Sequence, residues 1–133
     1  MSRTILLFAF GVSVVLLSGC GSELPTVQGT VTLDSEPVPN ATVVFESPDK
    51  PMATAKTDEN GEYDVITASK RGMAAGEYAV KISAYKTRDG GSESPLPILR
   101  TPKKYNSSKT SGLTARISEG ANKDVNFELT SKK

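Results

Sequence analysis

The thiol of Cys20 is the strongest nucleophile that the sequence offers, because Cys20 is the single cysteine of 133 residues and the chain contains no histidine. A lone cysteine cannot form an internal disulfide bond. One thiolate without imidazoles also makes neither a zinc site nor a histidine-based catalytic triad. Cys20 is therefore either an ordinary small apolar residue at the end of a buried helix or a thiol that is itself modified.

The residues before Cys20 have the pattern of an export signal. Arg3 lies near the start, and Ile5 to Leu17 form an apolar run of thirteen residues. A secretory signal peptide has a positive start followed by about 7–15 apolar residues, whereas a helix that spans a membrane needs about 20. The sequence therefore predicts a signal-peptide helix over residues 1–19.

The segment Leu17-Ser18-Gly19-Cys20 resembles the bacterial lipobox, in which a branched apolar residue and two small residues precede a cysteine. The resemblance implies that a signal peptidase recognises Leu17, Ser18 and Gly19 and cleaves before Cys20. It also implies that diacylglycerol is joined to the thiol, with no other cofactor. We therefore expect an exported protein that is anchored by lipid to the bacterial cell membrane or outer membrane, with residues 20–25 as a tether.

The charge balance argues against a nucleic-acid partner. The chain has 16 Lys and Arg residues and 15 Asp and Glu residues, and removal of residues 1–19 takes away only Arg3, which leaves 15 of each. Domains that bind nucleic acid usually carry a strong basic excess. The remaining 114 residues are enough for one domain with a hydrophobic core. We therefore expect a single, nearly neutral domain that does not bind nucleic acid.

Seven segments of the mature chain alternate between apolar and polar residues, which is the pattern of half-buried β-strands. No segment after Cys20 keeps helical spacing for ten residues. Seven short strands can each bury one apolar face if two sheets pack together, and we therefore predict an all-β, seven-stranded β-sandwich. The segments are 27–33, 41–46, 53–57, 62–65, 77–84, 113–117 and 125–129. The predicted inward residues include Phe45, Val80, Ile82 and Phe127.

Asn60-Gly61 lies between two of these segments. Asn-Gly readily adopts the positive φ of a tight turn, so the pair predicts a β-hairpin. Together with Asp58 it also resembles half of a calcium loop. An EF-hand loop needs a glutamate at its twelfth position, which is Ser69 here, and the hairpin turn is the preferred interpretation.

A longer pattern resembles the carboxypeptidase regulatory-like domain, a transthyretin-like β-sandwich. It implies a Greek-key arrangement over residues 26–130 and a non-catalytic module that binds or scaffolds. Ser35-Glu36 departs from the family's frequent glycine turn, and Asn40 stands where glycine is common. The resemblance is carried by the segments VQGTVTLDSEPVPNATVVFESP, TDENGEYDV and GMAAGEYAVKI. The matching positions are Val27, Gly29, Val31, Pro37, Val38, Ala41, Val43, Phe45, Thr57, Asp58, Gly61 and Tyr63.

Enzymatic motifs in the sequence are weak. Hydroxyisourate hydrolase, an enzyme with the transthyretin-like fold, uses histidines and a C-terminal Tyr-Arg-Gly-Ser, whereas this chain has no histidine and ends in Ser-Lys-Lys. Ser47-Pro-Asp-Lys50 and Ser83-Ala-Tyr-Lys86 fit Ser-x-x-Lys, the acyl-enzyme motif of penicillin-binding proteins, but without its partner motifs. We therefore predict that the protein is not an enzyme.

Residues 86–112 show no strand pattern and are long for a connection in a compact domain. Their second half is basic, with no acidic residue between Glu93 and Glu119. Such a patch suits a protein partner, an anionic glycan or a lipid headgroup. The candidate partner patch consists of Arg100, Lys103, Lys104 and Tyr105.

Two alternatives remain open from the sequence. The connection can instead be a crossover that packs Ile98, Leu99 and Tyr105 on the sandwich and leaves its lysines solvated. The domain can also be a carbohydrate-binding module at the cell surface. Exposed aromatic side chains would favour that function, and Tyr85 and Tyr105 are the residues whose exposure tests it.

Overall fold

Two β-sheets form the fold, and a computed structural model describes residues 23–87 and 97–132. The predictions for the signal peptide, for the lipobox residues and for Cys20 lie outside the described residues. The strands are β1 (Thr26–Leu33), β2 (Glu36–Pro37), β3 (Ala41–Ser47), β4 (Lys50–Lys56), β5 (Glu62–Asp64), β6 (Ile66–Thr67), β7 (Lys70–Arg71), β8 (Gly76–Thr87), β9 (Pro97–Leu99), β10 (Leu113–Ile117), β11 (Ala121–Asn122) and β12 (Phe127–Leu129). A 3₁₀ helix, Lys103–Asn106, and a helix α1, Ser108–Ser111, precede β10.

Each of the seven predicted strands has a counterpart among these elements. The five further strands, β2, β6, β7, β9 and β11, were not predicted and have only two or three residues each. A strand this short shows an alternation only if the pattern continues beyond its ends, as it does at β5 and β12, which have three residues each. The count of seven was therefore too low, whereas the all-β architecture is confirmed.

Strand β1 lies at the centre of the smaller sheet. It pairs antiparallel with β2 and β5, and parallel with β11 and β12. The larger sheet has the strand order β10-β8-β3-β4-β6-β7, and β9 also pairs with β8. The first and last strands of the domain thus lie side by side in one sheet.

Apolar side chains from both sheets fill the space between them. Phe45 on β3 has its ring centroid 6.1–6.3 Å from those of Tyr63, Tyr78 and Phe127, the range in which aromatic pairs attract each other. This cluster joins the two sheets. The predicted inward residues are confirmed as core: Phe45, Val80 and Ile82 are 0% exposed, and Phe127 is 5% exposed.

Strand β1 and the segment before β12 approach closely at Gly29. A Cβ atom at this position would lie 1.8 Å from the carbonyl oxygen of Val125, so only glycine fits. The hydroxyl of Tyr63 donates a hydrogen bond to the same carbonyl. Burial raises the pKa of Tyr63, which keeps the phenol a neutral donor.

The turn at Asn60-Gly61 joins two sheets and does not close a hairpin. Gly61 has the predicted positive φ, 74°, and Asp58 Oδ1 accepts hydrogen bonds from the backbone N–H groups of Asn60 and Glu62 at 2.8 and 2.9 Å. However, β4 pairs with β3, and β5 pairs with β1. The hairpin prediction was therefore wrong, because a local turn signal does not say which strand each arm pairs with.

Of the residues that depart from the pattern described above, Ser35 and Asn40 adopt glycine-like backbone conformations, whereas Glu36 lies on β2. Asp34 and Ser35 have φ values of 49° and 70° and connect β1 to β2 as a two-residue turn with positive φ at both positions, which is the type I′ arrangement. Asn40 has a φ of 54°, a conformation that asparagine tolerates better than most residues.

Candidate functional site

The predicted partner patch lies in a connection that is bonded along the edge of β8. Strand β9 pairs with Tyr85–Thr87, and the backbone N–H of Arg100 donates to the carbonyl of Ala84 at 2.7 Å. The hydroxyl of Thr101, which is 2% exposed, accepts from the N–H of Ala84 at 3.2 Å. The start of the connection therefore extends the larger sheet.

The end of the connection is fixed in the same way. Ser111 is 7% exposed, and its hydroxyl donates to the carbonyl of Val80 and accepts from the N–H of Leu113. Gly112 then ends α1 with a φ of 68°, and β10 begins. Hydroxyls at both ends of the connection thus hydrogen-bond backbone groups of β8, in line with the rule that buried polar groups are hydrogen-bonded.

Tyr105 belongs to the core and not to the exposed surface. Its side chain is 5% exposed, and its hydroxyl accepts a hydrogen bond from the N–H of Thr130 at 3.1 Å. Ile98 and Leu99 are half-buried. These three side chains therefore pack as in the crossover alternative that the sequence left open. Tyr105 does not provide an exposed aromatic contact surface.

The three cations of the patch are exposed, as the sequence predicted, but they do not form a purely basic surface. Arg100 lines a cleft of about 350 Å³ together with Asp34 and Glu36. The ammonium group of Lys104 lies 4.8 Å from the ring centroid of Tyr105. The sequence stretch around Arg100 is free of acids, whereas the hairpin β1–β2, which is remote in the sequence, brings two acids beside it.

The C-terminal residues close this end of the sandwich. Asp34 Oδ1 accepts from the N–H of Ser131 at 3.0 Å. Hydrogen bonding to the side chain and then to the backbone of Ser131 lowers the pKa of Asp34. Lys104 Nζ donates to the carbonyl of Lys132 at 3.4 Å. We refer to this region, formed by Asp34, Arg100 and residues 103–105 and 130–132, as the Asp34 end.

The opposite end of β1 receives the N-terminal segment. Pro25 is buried, and its carbonyl accepts a hydrogen bond from the N–H of Met73 at 3.0 Å. Thr26 N–H donates to the carbonyl of Gly120 at 3.0 Å. A Cβ atom at Gly72 would lie 2.5 Å from the carbonyl oxygen of Pro25. We refer to this region, formed by residues 23–26, 66–73 and 120, as the Pro25 end.

A second cleft, which the sequence did not indicate, lies on the outer face of the larger sheet. It has a volume of about 390 Å³, and its lining includes Glu46, Glu77, Ala79 and Arg116. Glu46 forms an ion pair with Lys81 at 2.8 Å and accepts a hydrogen bond from the Ser108 hydroxyl at 2.5 Å. The hydrogen bond from Lys81, and to a smaller extent the one from Ser108, lowers the pKa of Glu46. These charges lie at outward positions of three different strands, so only the strand pairing brings them together.

In the Ser-x-x-Lys segment at Ser47, both the serine and the lysine contact Asp49. The hydroxyl of Ser47 donates to Asp49 at 2.8 Å, and Lys50 forms an ion pair with the same carboxylate at 3.1 Å. Within residues 23–87 and 97–132 there is no group of three or more His, Cys, Asp or Glu side chains that could hold a metal ion. The same part of the chain contains no helix long and apolar enough to cross a membrane.

Comparison of the chain with protein-family models, with curated proteins and with solved structures gave no match.

Proposed function

We propose that this protein is an envelope lipoprotein in which lipid on Cys20 anchors a non-catalytic β-sandwich that binds or scaffolds a partner. The observation that supports this proposal is the short distance in sequence between the lipobox-like segment and the packed domain. Pro25, five residues after Cys20, is already buried and hydrogen-bonded. The domain would therefore stand directly on its anchor.

We also propose that the sandwich is a Greek-key domain of the carboxypeptidase regulatory-like type. Positions of the family pattern have structural tasks that support this assignment. Gly29 allows the close approach of Val125. Thr57, which is 3% exposed, accepts from the N–H of Ala41 at 2.8 Å and donates to the carbonyl of Val38 at 2.6 Å.

The partner surface in this proposal is the Asp34 end. Strand β1 separates it from the Pro25 end, and seven steps of about 3.3 Å place the two ends about 23 Å apart. The exposed side chains of Arg100, Lys103 and Lys104 would then project away from the membrane. A protein or glycan with anionic groups is the partner that these cations favour.

Replacement of the cysteine tests the anchor. Cys20→Ser removes the nucleophile, so we expect no lipid on the N-terminus and a precursor that is uncleaved or misplaced. Mass spectrometry of the N-terminal peptide from membranes measures the lipidation and the cleavage. A wild-type protein that carries mainly an unmodified cysteine would contradict the proposal. Ser22→Ala, which leaves the lipobox intact, is the matched control and should be lipidated normally.

Carbohydrate binding is the second candidate function, and one exposed aromatic residue favours it. The side chain of Tyr85 on β8 is 51% exposed, whereas Tyr105 is buried. Aromatic rings are the usual stacking surfaces for sugars. A glycan array with the wild type and with Tyr85→Ala separates the two functions: glycan binding that depends on Tyr85 favours the carbohydrate-binding module, whereas binding that is unchanged in Tyr85→Ala, or absent, favours the partner surface at the Asp34 end.

A further inference from the structure

The strands β6 and β7 form a basic hairpin at the Pro25 end. Ala68 and Ser69 at its tip have φ values of 46° and 70°, so the hairpin closes with a two-residue turn of the type I′ kind. The hydroxyl of Thr67 donates to the carbonyl of Gly72 at 2.8 Å. The pairing of Ile66 with Thr54 of β4 and the hydrogen bond from Met73 to Pro25 attach the hairpin to the sandwich.

The exposed side chains of this hairpin are cationic and apolar. Lys70 and Arg71 are exposed, and Ile66, which is 51% exposed, lies opposite Arg71 in the antiparallel pair. Directly opposed residues project from the same face. Asp64 holds the guanidinium of Arg71 at 2.6 Å, whereas Lys70 takes part in none of the ion pairs found within residues 23–87 and 97–132.

An open cleft lies between this hairpin and the N-terminal segment. It has a volume of about 570 Å³, which falls within the roughly 300–1,000 Å³ range of small-molecule sites. Asp64 offsets the charge of Arg71, so Lys70 is the cation of the lining that is outside the ion pairs of the described residues. A lipid headgroup therefore fits into the cleft by size, and its phosphate would meet Lys70 there. The cleft is lined by Glu23, Leu24, Thr26, Lys70 and Arg71.

The number of residues between Cys20 and the domain limits how far the hairpin can be from a membrane. Four residue steps from Cys20 to Leu24 span at most about 14 Å when fully extended. A linker this short gives the domain a high effective concentration at the surface, on the order of millimolar. Even weak contacts then decide which face of the domain meets the membrane.

Lys70 and Arg71 are neighbours on β7 and therefore project from opposite faces of the hairpin, with Ile66 on the face of Arg71. We propose that the β6–β7 hairpin docks tip-first on the membrane surface, with these two cations against anionic phospholipid headgroups on its two sides. This inference rests on the proposed lipidation of Cys20. Each basic residue near an anionic surface changes the ratio of docked to undocked orientations by about fivefold. Docking orients the sandwich so that the Asp34 end points away from the membrane.

The lipidated full-length protein allows a direct test, because its single cysteine carries the lipid and an introduced cysteine becomes the only free thiol. A fluorophore is attached through Ser69→Cys at the hairpin tip or through Ser131→Cys at the Asp34 end. Vesicles contain a headgroup-attached quencher in either phosphatidylcholine alone or phosphatidylcholine with phosphatidylglycerol. We expect strong quenching at residue 69 and weak quenching at residue 131 in the anionic vesicles, and a smaller difference in the neutral ones.

A pair of charge variants isolates the electrostatic contact. Lys70→Glu with Arg71→Glu should lower the docked ratio at residue 69 by about tenfold or more in anionic vesicles. Lys103→Glu with Lys104→Glu makes the same change in net charge at the Asp34 end and should leave the quenching at residue 69 unchanged. Raising the salt concentration should weaken the wild-type quenching as well, since the Debye length shortens, and this measurement needs no hairpin variant.

The outcomes separate this inference from the proposed function. Protein that does not float with vesicles of either kind contradicts the lipid anchor and the docking together. Protein that floats but is quenched equally at residues 69 and 131 contradicts the docking alone. Quenching at residue 69 that is equal in neutral and anionic vesicles and insensitive to salt also overturns the headgroup contact, and assigns the hairpin to a partner other than anionic lipid.

Discussion

The two ends of the sandwich are held together by different kinds of contact. At the Pro25 end, backbone packs on backbone: Met73 bonds to Pro25, and Gly72 leaves no room for a side chain beside them. At the Asp34 end, side chains contribute more. The N–H of Asp34 donates to the carbonyl of Leu129, but the hydroxyl of Tyr105 and the carboxylate of Asp34 accept the hydrogen bonds from residues 130 and 131.

Because of this difference, we expect the Pro25 end to tolerate few substitutions and the exposed side chains of the Asp34 end to tolerate many. Backbone contacts depend on chain geometry and tolerate few substitutions near Gly72. The Asp34 end keeps its inner contacts through Tyr105, while Arg100, Lys103 and Lys104 project into solvent and can vary without disturbing the fold. In the proposed lipoprotein, the first end would determine orientation on the membrane and the second would determine the partner.

Both ends depend on the aromatic cluster between them, and its removal should have the largest effect. Phe45→Ala or Phe127→Ala is expected to lower the free energy of unfolding by about 3–5 kcal/mol, the usual cost for a buried phenylalanine. Total stability is typically about 5–15 kcal/mol, so either variant would leave a substantial unfolded population. Chemical denaturation measures the change, and a midpoint close to that of the wild type would contradict the central role of the cluster.

Alanine substitutions at Gly72 and Gly112 compare a glycine that packs closely on backbone with one that faces open space. Gly72→Ala places a Cβ 2.5 Å from the carbonyl oxygen of Pro25 at a φ of 99°, and should cost about 2–4 kcal/mol from backbone strain and overpacking. Gly112 has a φ of 68° and nothing within 4 Å of an added Cβ, so Gly112→Ala should cost only about 1 kcal/mol. Hydrogen exchange at the Met73 amide, which bonds to Pro25, should accelerate in the first variant only. Equal losses of stability would show that the close contact at Gly72 is not a constraint.

The regions of the molecule differ in how well the sequence predicted them. The core positions were predictable, because Phe45, Val80 and Phe127 lie in clearly alternating segments and a shift of register by one residue would expose them. The buried position of Tyr105 was only one of two alternatives, since its short 3₁₀ helix has no amphipathic period. The acids beside Arg100 were not predictable, because Asp34 lies 66 positions earlier and reaches it only through strand pairing.

The same limit applies to the turn at Gly61 and to the outer cleft around Glu46. The chemistry of Asn-Gly determines the backbone angles of a turn, whereas the pairing of its arms depends on all other strands. The cleft joins charges from three strands whose register is set by buried residues on the opposite face. Local pattern thus predicted the elements, and long-range packing determined which polar side chains became neighbours.

The hydroxyl of Tyr105 should have an intermediate effect at the Asp34 end. Tyr105→Phe keeps the buried ring but leaves the N–H of Thr130 without its acceptor, and should cost about 0.5–1.5 kcal/mol. Tyr85→Phe changes an exposed residue, so its free energy of unfolding should stay within about 0.5 kcal/mol of the wild-type value. Denaturation midpoints and the exchange rate of the Thr130 amide measure both variants. Unchanged exchange at Thr130 in Tyr105→Phe would contradict the side-chain closure of this end.

The exposed cations of the Asp34 end should have the smallest effect on stability and the clearest effect on binding. Simultaneous replacement of Arg100, Lys103 and Lys104 by Glu should change the free energy of unfolding by no more than about 0.5 kcal/mol, as exposed substitutions usually do. The triple variant should lose the low-salt retention of the wild type on an anionic polysaccharide column. Retention should already be weaker at about 0.15 M salt, where charges beyond roughly 8 Å are screened.

Separate variants of Arg100 and of the lysine pair then show which cations account for the retention. Arg100 shares its cleft with Asp34 and Glu36, which offset its charge, whereas Lys103 and Lys104 lie on the exposed 3₁₀ helix. We therefore expect Lys103→Glu with Lys104→Glu to account for most of the lost retention and Arg100→Glu for little of it. The opposite ranking would place the binding surface in the cleft between Arg100 and the β1–β2 hairpin. Equal retention of the wild type and the triple variant would leave the cations as solvated residues of a packed crossover.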